Sequence, residues 1–217
     1  MRILLFFLVL ANQTFSQEKA ELNFTFLFQG DSLQENTWYM TKKGDSLKFE
    51  TIRFFVSVPP RNEVSADAAH LVDWSKPETH NWSVPLNEKR ELVITYGLEP
   101  LYHTASVMEG DLDPSLGMYW AWQSGYIHLK IEGESPSANT RNNKFQYHLG
   151  GYLDPFSVDK TINFGQIYES NVQIKIDLWD VFRLVNVKKE NEIMIPGKQA
   201  VRMMKKMING FVLLGAY

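Results

Sequence analysis

Of the five histidines in this chain, two fall where a hairpin would bring them together. Residues 126–132 and 144–150 both alternate apolar and polar side chains. Pairing them antiparallel about residue 138 sets His128 directly opposite His148. Opposed cross-strand residues have Cβ atoms about 4.5–5.5 Å apart, close enough for two imidazoles to share a metal ion. Because a one-residue slip would part the two rings, the other reading is two ordinary half-exposed histidines. Trp120 and Trp122 lie just upstream, and an extended backbone would send both indoles to one side. On spacing alone they are packing side chains whose N–H groups seek partners. Glu109, Asp111 and Asp113 cluster in one segment, where carboxylates could hold a hard cation such as calcium. Their spacing matches no EF-hand, and solvated turn carboxylates is the plainer reading. The chain has no cysteine, which excludes a thiol nucleophile, a haem-attachment motif and a zinc–thiolate site. There is also no Gly-rich phosphate loop, no GxSxG elbow and no HExxH helix. No nucleophile–base set can be assembled, so the expectation is a binding protein and not an enzyme.

The elements that must position these residues read mostly as strands. Leu22, Phe24, Phe26 and Phe28 alternate with smaller or polar neighbours, the period of a half-buried strand. Residues 46–58 read as one long strand with an irregularity near Glu50-Thr51, ended by Pro59-Pro60. Residues 70–73, 91–96 and 172–178 add further short strands. Residues 133–143 form the loop of the hairpin. At least seven strands with turn signals between them predict an all-β fold, an antiparallel β-sandwich of Ig-like character. One C-terminal amphipathic helix is expected. Ala200, Met203, Met204, Met207 and Ile208 follow its spacing, Pro196 suits its first turn, and Asn209-Gly210 suits its stop. Three methionines on one face suggest copper, but a flexible core stripe packed on the sheet is the simpler account.

The first residues bear on compartment. Met1-Arg2 is a short basic start, Ile3 to Ala11 is an unbroken apolar run, and Thr14-Phe15-Ser16 offers small residues for cleavage after Ser16. The run is far short of the roughly 20 residues a membrane-spanning helix needs. Residues 1–16 are therefore expected to be a signal peptide and 17–217 a single exported domain, periplasmic or secreted. Removing Arg2 leaves 21 basic against 25 acidic residues, a net charge of −4. That balance gives no electrostatic footprint for nucleic acid, and no later segment reads as a membrane span. Without disulfides the domain must be stabilised by burial, for which 14 Phe, 9 Tyr and 6 Trp supply area.

One stretch of the sequence resembles a known family. Asp111–Gly133 (DLDPSLGMYWAWQSGYIHLKIEG) followed by Phe145–Tyr152 (FQYHLGGY) is similar to the MbnP-like family, including its bacteroidete-type members. Softer matches are Thr51–Ser57, His70–Asp73 and Ile176–Leu178. The resemblance implies an exported β-sandwich tied to copper binding or copper homeostasis. It implies a partner, a di-haem protein of the MbnH/MauG type, that oxidises a tryptophan to kynurenine, which makes Trp120 and Trp122 candidates. It makes His148, in the His-Leu-Gly segment, a candidate copper ligand, and His103, in Leu101-Tyr102-His103, a second. His128 enters through the hairpin geometry alone. The chain lacks the four cysteines of one branch of the family. The rival reading is a metal-free β-sandwich interaction module.

Overall fold

The computed structural model describes residues 18–60, 62–120 and 125–214. The expected signal segment and Trp122 lie outside them. In chain order the strands of the first half are β1 (Lys19–Phe28), β2 (Asp31–Ser32), β3 (Tyr39–Met40), β4 (Ser46–Ser57), β5 (Ala69–Asp73), β6 (Asn81–Pro85) and β7 (Glu91–Tyr96). Helix α1 (Pro100–Thr104) and β8 (Tyr119–Trp120) lead to the hairpin β9 (Gly125–Glu134) and β10 (Lys144–Gly150). The chain closes with β11 (Lys160–Gln166), β12 (Asn171–Asp177), α2 (Leu178–Phe182), β13 (Glu192–Ile193), α3 (Lys198–Ile208) and β14 (Phe211–Leu214).

Two sheets face each other, as the alternating pattern requires. The smaller runs β14-β12-β1-β2 with β6 also on β1, and the larger runs β11-β7-β4-β9-β10-β13 with β3 and β5 on β4 and β8 on β9. Alternation on β1 turns Leu22, Phe24, Phe26 and Phe28 into the space between them, where they are buried. On β4 the expected irregularity is a register shift between Phe49 and Thr51. This bulge changes the phase of the strand, so that Phe49 as well as Ile52, Phe54 and Val56 enter the core. Each such side chain contributes about 1.5–3 kcal/mol when fully buried. Two pairings depart from an antiparallel sandwich: β1 with β12 and β10 with β13 run parallel.

Helix α3 lays Ala200, Met203, Met204 and Met207 into the same core, so its methionine face is a packing stripe. Lys206 at its last turn pairs with Glu190 at 2.7 Å. Among the described residues no helix is long and apolar enough to cross a membrane.

A second apolar cluster lies apart from this core. Leu98, Tyr102, Leu112, Met118 and Trp120, from the segment between β7 and β9, pack with Phe55, Leu71, Tyr126 and Ile127 of the larger sheet. Polar struts fasten the segment down. The Tyr102 hydroxyl lies 2.9 Å from the Val58 carbonyl and 3.0 Å from that of Ala68. Arg53 donates to the Leu116 carbonyl at 2.7 Å and pairs with Asp73 at 3.0 Å. Asp111 accepts from the Leu71 N–H at 3.0 Å and meets His70 Nδ1 at 2.8 Å. The acidic run is thus used structurally, with Asp113 capping the Ser115 N–H at 2.8 Å.

Candidate metal centre

The segment under those struts carries His103 onto β9. At Gly97 the backbone leaves β7 with φ of +93°, a left-handed turn that favours glycine. Pro100 then opens α1, where its fixed φ suits the first helical position. His103 sits in the last turn of this short helix. Its ring rides over Gly125, whose φ is +70° and where any Cβ would collide with Nδ1 of His103. A Cβ at Gly97 would likewise meet the ring of His128, 2.5 Å from its Nδ1. Two glycines therefore make room for two imidazoles.

The hairpin does not have the symmetry expected of it. Lys144 pairs with Glu134 and His148 with Lys130, a register displaced by two residues. The displacement follows from how the loop closes: Ser135 N–H donates to Asn143 O at 2.7 Å, and Asn143 adopts φ of +55°. Farther along, Leu149 pairs with Leu129 but Gly150 pairs with Ile127, which leaves His128 as the extra residue of a bulge. His128 and His148 are therefore not opposite each other. His148 turns instead to Glu132, with Nε2 2.7 Å from Oε1. That hydrogen bond holds Glu132 down at about 2.

His103 replaces His148 as the partner of His128. Their Nε2 atoms lie 2.9 Å apart, and the rings are stacked at 5.0 Å and 30°. His128 is completely buried (0% exposed), with Phe54, Phe55, Tyr96, Met204 and Phe211 lining a small apolar cavity beside it. Burial disfavours the imidazolium form, lowering His103 to about 4 and His128 well below its usual value, with the neighbouring His103 adding to the latter. Both rings are neutral near pH 7, each with one nitrogen lone pair.

The hydrogen bonds say which lone pairs. His103 Nδ1 accepts from the Tyr126 N–H at 3.2 Å, and His128 Nδ1 accepts from the Leu98 N–H at 3.4 Å. Each neutral ring must then carry its proton on Nε2, where the two rings meet. His103 can turn its proton toward the Leu98 carbonyl at 3.3 Å. Among the described residues His128 has no such outlet, and it aims an N–H at a nitrogen that already bears one. Moving either proton to Nδ1 only shifts the conflict to a backbone N–H. A buried donor without an acceptor costs about 1–3 kcal/mol. A cation between the two Nε2 atoms, 2.9 Å apart, would remove the clash of N–H groups there, with each ring's single proton moved to Nδ1 and the bonds from the Tyr126 and Leu98 N–H groups given up. By donor type, two facing imidazole nitrogens fit a metal. Imidazole nitrogens suit copper, zinc and nickel.

The surroundings are aromatic. Tyr152, which no spacing argument marks out, stacks on His103 at 4.2 Å and 11°. Trp120 is buried, in register with Gly125, and presses against Gly150, where a Cβ would lie 2.6 Å from its Cζ3. Among the described residues no three His, Asp or Glu side chains gather in a metal-binding group.

The fold and this site define a class: a two-sheet β protein with a buried histidine pair where a looped-out segment meets the larger sheet. Within it, the chain belongs to the MbnP family, whose model matches residues 17–195. Its structure is similar to that of MbnP from Methylosinus trichosporium, with a TM-score of 0.59 at 13% identity, over 86% of this chain and 87% of that one. At that identity the likeness shows the fold. No curated protein matches the chain at a significant level.

Proposed function

We propose that this chain is an exported copper-binding or copper-homeostasis protein whose metal is held by Nε2 of His103 and Nε2 of His128. Membership of the MbnP family supports a copper-related role. The observation that carries the reading is the buried, uncharged histidine pair, whose Nε2 atoms face each other at 2.9 Å. Copper would supply a redox-active Lewis acid there. The chain's own residues would hold it: Gly97 and Gly125 leave room for the two rings, Tyr152 braces His103, and the apolar wall keeps water out. We read it as a binding protein and not an enzyme, because a histidine base usually has Nδ1–H oriented by a third group. Both Nδ1 atoms here accept from backbone instead.

Copper titration of the chain lacking residues 1–16 tests the site. His103→Ala and His128→Ala should each lower affinity at least tenfold, while His148→Ala should leave it within about twofold, because His148 is committed to Glu132. Absence of binding in the parent protein, or loss only in the His148 variant, overturns the assignment and favours a metal-free interaction module.

The family reading extends to a di-haem MbnH/MauG-like partner and to kynurenine at Trp120 or Trp122. Trp120 is supported by its place beside Gly125, over which His103 rides. Conversion of tryptophan to kynurenine gains one oxygen and loses one carbon. Peptide mass spectrometry of protein from its native host should find that change at residue 120 or 122, and an unmodified peptide there removes this part of the proposal.

A further inference from the structure

We propose that the end of the sandwich formed by residues 38–43 and 183–189 docks on an anionic lipid surface. The pleat of β3 begins the case. Tyr39 turns inward, its ring tilted against Phe28 at 4.5 Å, and its hydroxyl accepts from the Gln34 N–H at 2.7 Å. Its neighbours must then face outward. Trp38 is 50% exposed and Met40 58% exposed, on a segment closed by the bond from Thr41 N–H to Asp45 O. The exposure is held in place by the inward anchoring of Tyr39.

A second segment joins the same face. Lys43 Nζ donates to the Val185 carbonyl at 3.0 Å, which brings Leu184, 37% exposed, alongside. Next to these side chains in the sequence come Lys42, Lys43, Lys188 and Lys189, none ion-paired among the described residues, against Glu35, Asp45 and Glu190, the last already paired with Lys206. Lys48, already paired with Glu134, lies over the Trp38 ring at 5.3 Å. A basic face on a chain of net charge −3 is a local reversal of sign. An outward indole, a thioether and a leucine ringed by lysines match a headgroup layer, where Trp settles at the interface and lysine stems reach to phosphate. An acidic protein would satisfy the lysines but gives no reason for Trp38 and Met40 to project together. The surface does not depend on the metal reading: Glu134, beside Lys48, lies six residues along β9 from His128, about 20 Å at strand rise.

The test is co-sedimentation of the chain lacking residues 1–16 with vesicles of phosphatidylcholine alone or with one quarter phosphatidylglycerol, at low and physiological salt. Binding is expected on the anionic vesicles only, weakened by salt, with a blue shift of emission that Trp38→Phe removes. Lys42→Gln with Lys188→Gln should weaken partition about fivefold for each lysine removed. All these positions are exposed, so thermal unfolding should stay unchanged and serves as the folding control. No anionic-vesicle binding at low salt, or binding indifferent to the Trp38 and lysine changes, overturns the proposal. Binding to polyglutamate without binding to vesicles overturns it in favour of an acidic protein partner.

Discussion

His103 and His128 show how much of a site can depend on backbone donors that no side-chain pattern announces. The N–H groups of Leu98 and Tyr126 aim the rings by holding Nδ1, and burial strips them of charge. The pH consequence has a definite sign. In the unfolded chain these histidines titrate near 6.5, whereas in the fold His103 is lowered to about 4 and His128 lies well below its usual value. Between about pH 6.5 and 4 the unfolded chain takes up protons that the folded one refuses. The pair's contribution to stability is therefore complete above 6.5 and falls as pH drops toward 4. Urea unfolding of metal-free protein should show a lower midpoint at pH 5 than at pH 7, and His128→Leu should narrow the gap. An equal fall in that variant would mean that other groups drive it. At this scale the sequence named His103, His128 and His148 as candidates and set the last two opposite each other. The fold brings His103 to His128 and leaves His148 on Glu132, because cross-strand register depends on how a loop closes.

Strands and helices were more legible than the side chains they bring together. The alternation of β1, β4, β9, β10 and β12 and the spacing of α3 are local signals, and the irregularity near Glu50 is visible in the pattern of residues 46–58. Phe164 and Ile162 of β11 are only half-buried, and this exposed edge strand gave no comparable signal. The parallel pairing of β1 with β12 joins residues far apart in sequence, and local pattern carries no record of it. Two substitutions probe the elements separately. Gly125→Ala should cost about 2 kcal/mol or more, from left-handed backbone in a non-glycine residue plus the collision with His103, and should lower copper affinity with it. Met207→Ala opens the core under α3 and should cost about 2–5 kcal/mol while leaving copper stoichiometry unchanged. Denaturant midpoints and metal titration on the same two variants would separate the roles, and loss of copper from the Met207 variant would contradict the packing role of that stripe.

Over the whole molecule, the histidine pair and the basic, Trp38-bearing face are separated by much of the length of β9. The two should behave as independent units: Lys42→Gln with Lys188→Gln should retain copper affinity, and His128→Ala should retain vesicle partition, each within about twofold, the additivity expected of distant sites. Strong coupling in a combined variant would show that they communicate. The smaller sheet has its own consequence for the order of assembly. Its first strand, β1, sits between β6 and β12, and β12 begins only at Asn171. A ribosome delivers β1 first and β12 only after more than 140 further residues, so the apolar face of β1 must wait, one flank unpaired, until most of the chain has been synthesised. Closing so long a loop is slow, and the growing polypeptide is a natural client for holding chaperones up to that moment.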